Sequence, residues 1–371
     1  MIRVVRVVHY LWSAQIGGIE RLVLDLAVAQ RAAGGIDPAV LLGTGKGQLL
    51  DHYRRAPVDI EVGGLRGGAD LSPARLRRLT RLFGDADVVH LHAFHPLVAR
   101  AATRSGVPVV FTEHGAFGLG RRRTLADRVK SWLKRRFVNG GVDFVTFNSE
   151  HTRKTARSLF DLSGVPQEVV YNGTRVRRPP AAPPDPEVEG RCRGRFVVGT
   201  VSRFTRPKRL DRLLDGFARL SDPNALLLLV GDGAERSNLE AQARTLGIEG
   251  STLFAGYRPD VTAYQLLMHV CVLPSEVEAF GLAAVEALAL GKPAIVFRDG
   301  GGMAEVVLGH EPRDVVSGVE ELALRIEEHK EALAAGRDGA AERIAYARRF
   351  DIGVMAERMR SIYGRLAHGR P

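Results

Sequence analysis

The chain has 371 residues, 45% hydrophobic and 26% charged, a length that exceeds one hydrophobic core and calls for two domains. Its two cysteines, Cys192 and Cys271, exclude a disulfide framework and point to a reducing cytoplasm. The net charge of +11 is uneven: residues 1–178 hold 28 Lys/Arg against 15 Asp/Glu and the remainder 25 against 27, so an anionic partner is expected for the first half.

The opening "MIRVVRVVHYLW" contains a strand pattern, and its apolar run is too short and charge-interrupted for a signal-peptide core. In "WSAQIGGIERL", Gly17 and Gly18 stand at a strand end before the helix "GIERLVLDLAVAQRAAG". Glycines there let a phosphate approach free backbone N–H groups, although a plain turn uses them equally well. "PAVLLG", "ADVVHLH", "VPVVFTEHG" and "VDFVTFNS" continue as strands between helical patterns, the rhythm of βαβ units around a parallel sheet. "GTGKGQ" (43–48) lacks P-loop spacing and reads as a loop.

His90, His92 and His95 in "VVHLHAFHP" superficially resemble metal ligands, but no Asp, Glu or Cys cluster accompanies them, and no metal site is expected. His114, after the strand in "VVFTEHGAFG", is better placed to face a cleft; a packed core histidine is the alternative. Residues 120–137, "GRRRTLADRVKSWLKRRF", carry eight Lys/Arg and one Asp, with Leu125, Val129, Trp132, Leu133 and Phe137 along one helical face. That face suits either an anionic membrane surface or the chain's own sheet.

The proline-rich, aperiodic segment at 177–194 reads as a linker. After it the rhythm restarts with "RFVVGTVS", "ALLLLVGDG", "STLFAG", "VCVLPS" and "PAIVF" as strands. No apolar run approaches the ~20 residues of a membrane span. Two doubly wound α/β domains follow, 1–176 and 195–349, with the cleft between them as the default ligand site. Arg203 and Lys208, just past a strand, suit a diphosphate, one as a planar fork and the other as a point charge. In "EAFGLAAVEALALG" (278–291), Glu286 is the only polar side chain of an otherwise apolar helix, so it needs a hydrogen-bonding partner.

With "SRFTRPK", "GDG", "LFAGY" and "LPSEVEAFGLAAVEALALGKPAI" in this order, preceded by "GGIERLVLDLA", "DVVHLH", "TEHG", "NSEHTRKTA" and "YNGTRV", the chain resembles the GT-B-fold retaining glycosyltransferases of family 4, also called glycosyltransferase group 1. The glutamate pair is its most specific part. The resemblance implies two Rossmann-like domains facing a cleft: an acceptor-side domain at 1–176, a nucleotide-sugar domain at 195–349, and a C-terminal helix within 350–371 that returns to the first domain. It implies that Glu286 binds the ribose of a nucleotide-sugar donor and Glu278 the donor sugar, while backbone N–H groups of Phe280, Gly281 and Leu282 face the sugar and phosphate. By the same resemblance Arg203 and Lys208 stabilise the leaving diphosphate without a metal or other cofactor, Gly17 and Gly18 admit the diphosphate, and His114 is the active-site histidine.

The expected reaction is glycosyl transfer with retention, to a lipid-linked or cell-surface polysaccharide or glycolipid intermediate, in the cytoplasm or peripherally on the inner face of the plasma membrane. A phosphorylase or synthase of the same fold, a 2-epimerase of similar architecture and a nucleic-acid-binding protein are the alternatives; against the last stand the few aromatics available for stacking and the absence of a recognisable reading module. Four positions depart from the family pattern: Ser202, Arg209, His269 and Arg175. The segment "LGHEPRDVVSG" is also shorter than the family's usual turn, which bears on donor selectivity.

Overall fold

The computed structural model describes residues 4–67, 70, 72–115, 124–176 and 180–368. It divides into two compact units, 1–174 together with 351–371, and 175–350.

The first unit is built on seven parallel strands: β1 (Val5–Leu11), β2 (Ile36–Leu42), β3 (Asp59–Val62), β4 (Val88–Leu91), β5 (Val109–Glu113), β6 (Phe144–Phe147) and β7 (Gln167–Val169). Their order across the sheet is β3-β2-β1-β4-β5-β6-β7. The central strands are buried on both faces because helices cover both. One layer packs Leu79, Phe83, Leu97 and Val138 on the sheet. The opposite layer is completed from the far end of the chain, where helix Ile352–His368 lays Met355, Met359, Ile362 and Tyr363 against Val5, Val7, Val88 and Phe144.

The chain leaves and re-enters this unit at one place. Thr174 and Asp351 form a parallel bridge, and Ile352 N–H donates to the Thr174 carbonyl at 2.9 Å. A Cβ on Gly173 would stand 2.6 Å from the Ile352 Cα, so the close approach requires glycine.

The second unit holds six parallel strands: β8 (Phe196–Val201), β9 (Ala225–Val230), β10 (Thr252–Gly256), β11 (Val270–Leu273), β12 (Ala294–Phe297) and β13 (Val315–Val316), ordered β10-β9-β8-β11-β12-β13. In both sheets the order reverses beside the first strand, between β1 and β4 and between β8 and β11. Loops splay apart there and leave room for a ligand.

The segment expected as an aperiodic linker contains a helix, Pro186–Cys192. Asp185 caps it, Pro186 fits its first turn, and Val188 and Cys192 are buried. Seven residues are too few for a periodic signal, and the prolines before it mask the start. Residues 177–179 lie outside the described residues.

Candidate active site

In the second unit, the chemistry gathers past the carboxyl ends of the neighbouring strands β8 and β11. Arg203 is exposed, directly after β8. Buried Phe204 fixes its loop: Phe204 N–H donates to the Asp232 carbonyl at 2.9 Å, and a Cβ on Gly233 would lie 2.3 Å from the Phe204 carbonyl oxygen. "GDG" is therefore glycine-flanked because the loop after β9 presses on the arginine loop.

Lys208 forms an ion pair with Glu278, joining the loops after β8 and β11. Two further ties hold those loops together: Glu276 N–H donates to the Pro207 carbonyl at 3.0 Å, and Arg209 reaches Glu276 at 3.1 Å. Arg209 has φ 48°, in the left-handed region. Glycine adopts that conformation without strain, and this arginine is held in it by Asp211 and Glu276, which raise its pKa further above its ordinary value.

The loop carrying Glu278 is over-determined. Val277, a β-branched residue, takes φ 55°, which costs on the order of 1 to 3 kcal/mol. Hydrogen bonds from Val277 N–H to Asp299 and from Gly302 N–H to Glu278, at 2.9 and 2.7 Å, pin it. Phe280 is buried edge-on against Phe350. Gly281 caps helix Leu282–Ala289 with φ 89°, and any Cβ there would meet Met303 at 2.5 Å. The N–H groups of that helix start, with their partial positive charge, point out of the same loop. Glu286, on the helix itself, is half-buried.

In the first unit, Gly17 and Gly18 open helix Gly18–Ala33 after β1. The "GTGKG" loop braces this turn: Ala14 N–H donates to the Lys46 carbonyl and Leu49 N–H to the Ala14 carbonyl, at 3.0 and 2.8 Å. Gly47 packs against Ala14 so closely that a Cβ would fall 2.1 Å from its carbonyl carbon.

Four buried histidines lie under the β1/β4/β5 end of this sheet. His9 and His90 are register partners on β1 and β4, and His92 is two residues further along the same face. His9 Nδ1 lies 3.1 Å from His92 Nε2, and His92 Nδ1 lies 3.1 Å from His114 Nε2. His9 Nε2 meets Gln30 Oε1 at 2.9 Å. His90 bonds the Tyr363 hydroxyl and Thr112 Oγ1, both at 2.6 Å. His9, His90 and His92 each offer a nitrogen within 4.8 Å of the others. All six of their ring nitrogens already have protein partners, so the group is a hydrogen-bonded cluster. His95 is directed elsewhere, to the Gly67 carbonyl, and stacks on Trp12. Burial keeps the cluster neutral: it lowers His9 to about 4 and His114 to about 3, with Lys134 adding to the latter, and drives His90 and His92 well below the usual histidine range.

The basic helix spans Leu125–Gly140 and starts with a Thr124/Asp127 capping box. Leu125, Val129 and Trp132 are 76, 49 and 59% exposed, whereas Phe137 is buried. Its apolar stripe is thus divided, the last turns packing on the sheet and the first turns facing solvent. Lys134 is no free surface cation: it pairs with buried Glu113 at 2.6 Å, next in sequence to His114. Arg121, Arg122 and Arg123 lie outside the described residues. No helix among the described residues is long and apolar enough to cross a membrane.

Two family profiles match the chain, "Glycosyltransferase Family 4" over residues 16–178 and "Glycosyl transferases group 1" over residues 183–333. The chain belongs to the family 4 glycosyltransferases. The glycosyltransferase is 25% identical over 303 residues to the lipopolysaccharide core biosynthesis glycosyltransferase LpsE of Rhizobium meliloti, covering 80% of each chain. It is 37% identical over 233 residues to the N-acetyl-alpha-D-glucosaminyl L-malate synthase of Bacillus anthracis, covering 60% of this chain and 58% of the relative. Among solved structures, Anabaena HepE in complex with UDP superposes with a TM-score of 0.81 at 21% identity, covering 97% of this chain and all of that one. The glycosyltransferase thus has the GT-B fold.

Of the candidate residues, Lys208 and Glu278 are in direct contact, Arg203, Phe280, Gly281, Leu282 and Glu286 share their unit, and Gly17, Gly18 and His114 belong to the other. Sequence reasoning missed His9, Gln30 and Lys134 as neighbours of the histidine site. The period-two spacing of His90 and His92 was visible, but the β1–β4 register that adds His9 was not. His269 is explained by the fold: its Nδ1 accepts from Val197 N–H at 2.9 Å while its ring stacks on Phe196.

Proposed function

We propose that this glycosyltransferase moves a sugar from a nucleotide-sugar donor to a lipid-linked or cell-surface glycan acceptor, with retention of configuration and without a metal. The Lys208–Glu278 pair at the β8/β11 switch point carries this reading, because it places a cation for the diphosphate beside a carboxylate for the sugar hydroxyls. Arg203 supplies a second cation. The N–H groups of Phe280, Gly281 and Leu282 receive phosphate and sugar oxygens, and Glu286 receives the ribose hydroxyls. Gly17 and Gly18 admit the diphosphate, and His114 is the first unit's contact with the substrates. The bond from C1 to the diphosphate oxygen breaks, the bond from C1 to the acceptor oxygen forms on the same face, and the acceptor proton passes to the leaving phosphate.

The glycan acceptor is supported by the likeness to LpsE, which is named for lipopolysaccharide core biosynthesis. Docking on an anionic inner-membrane surface is supported by exposed Leu125, Val129 and Trp132 beside Arg128 and Lys130. The test is donor hydrolysis screened over UDP-, GDP- and ADP-sugars, with mass and anomeric analysis of the product. Turnover of one donor class with the α or β configuration kept is expected; inversion, or release of sugar phosphate only when phosphate is supplied, would overturn the reading.

A further inference from the structure

The cluster around His114 has a direction. Gln30, on helix Gly18–Ala33, is buried and presents its carbonyl oxygen to His9. A carbonyl only accepts, so the proton between them belongs to His9 Nε2. His9 is neutral, which leaves Nδ1 bare and makes His92 Nε2 the donor across the next 3.1 Å contact. His92 Nδ1 is then bare in turn, and His114 Nε2 donates to it. One acceptor at the start thereby determines the protonation site of three rings. His90 bonds the Tyr363 hydroxyl through Nδ1 and Thr112 Oγ1 through Nε2, beside this series of contacts.

At the end of this series stands His114 Nδ1, buried and without a hydrogen-bond partner among the described residues. A buried nitrogen lone pair left open at the carboxyl end of β5 has the chemistry to receive a hydroxyl. We propose that Gln30, His9 and His92 are positioning residues that hold His114 in the tautomer protonated on Nε2, so that its Nδ1 accepts a hydrogen bond from a hydroxyl of the sugar substrates. This rests on the reading of His114 as a substrate-contacting residue. The cluster's role is to keep His114 an acceptor: the opposite tautomer would present N–H at the same point and lose any hydroxyl proton donor placed there.

The test is histidine ¹⁵N NMR on the full chain, with His114 assigned by loss of its signal in His114→Ala. The wild type is expected to show His114, His92 and His9 all protonated on Nε2. Gln30→Met, which keeps the volume and removes the acceptor, is expected to convert His114 to a mixture of tautomers and to slow turnover about tenfold at unchanged donor KM. In a His114→Ala background Gln30→Met should have no further effect on turnover. His114 protonated on Nδ1 in the wild type, an unaltered tautomer in Gln30→Met, or full additivity of the two substitutions would each overturn the relay. If Gln30→Met does not fold, the wild-type spectrum alone decides. A His114→Ala protein with normal turnover would instead defeat the contact role of His114 and leave the tautomer result standing.

Discussion

Lys208 and Glu278, 70 residues apart in the chain, form an ion pair that joins the loops after two adjacent strands of the second sheet. Each side chain is therefore oriented by the other as well as by its backbone. Replacing Glu278 by Gln is expected to lower kcat ten- to hundredfold, because a charge-assisted hydrogen bond contributes about 1.5 to 3 kcal/mol. Lys208→Met should do the same, and the double variant should cost less than the two singles combined. Steady-state kinetics on the four proteins checks this.

Glu286→Ala is expected to act on affinity instead. Loss of the ribose contacts should weaken nucleotide binding roughly ten- to hundredfold in calorimetry. Unchanged affinity in a folded variant would remove Glu286 from the donor site.

Activity should survive EDTA, since Arg203 and Lys208 supply the positive charge that a divalent ion would otherwise bring to the diphosphate. Loss of turnover on chelation, with recovery on adding Mg²⁺ or Mn²⁺, would contradict this.

The neutral histidines make the fold acid-sensitive. Their folded-state pKa values are depressed, to about 4 for His9 and about 3 for His114, while an unfolded histidine titrates near 6.5. Below about pH 6.5 the unfolded chain therefore binds more protons than the folded one, and stability falls with pH by about 1.4 kcal/mol per unit for each such group. The loss should begin near 6.5 and continue toward 4. Denaturant midpoints measured from pH 7.5 to 4.5 check it; a flat profile across 6.5 to 5 would be inconsistent with buried neutral rings.

On the basic helix, two kinds of cation should respond differently. Arg128→Gln with Lys130→Gln and Trp132→Ser should reduce co-sedimentation with acidic phospholipid vesicles, each basic residue contributing about 1 kcal/mol at such a surface, and leave stability nearly unchanged. Lys134→Met should lower stability by about 3 kcal/mol, because buried Glu113, whose carboxyl burial already pushes up against the lowering effect of Lys134, loses its partner. Equal vesicle binding by the parent and the triple variant would reject this helix as the docking surface.

The interior of both sheets was legible in the sequence because strands covered on both faces are written as unbroken apolar runs, such as "ALLLLV". Three strands were not read: β3, β7 and β13. All three are edge strands, two to four residues long; the alternately exposed "DIEV" and the half-buried "QEV" carry no apolar run. The second-unit site was readable for the opposite reason, since its contacts are made by backbone turns that demand glycine at 231, 233 and 281. The histidine relay was hidden because it depends on register between strands about 80 residues apart, which local pattern does not encode.

The side-by-side crossing at Thr174 and Asp351 makes the second unit an insertion within the first. During synthesis, residues 1–174 emerge without Met355, Met359, Ile362 and Tyr363, which complete one layer of their own core, and with His90 still lacking its tyrosine partner. The unit begun first is then finished last, because its core waits for residues that are synthesised only after the whole of the later unit.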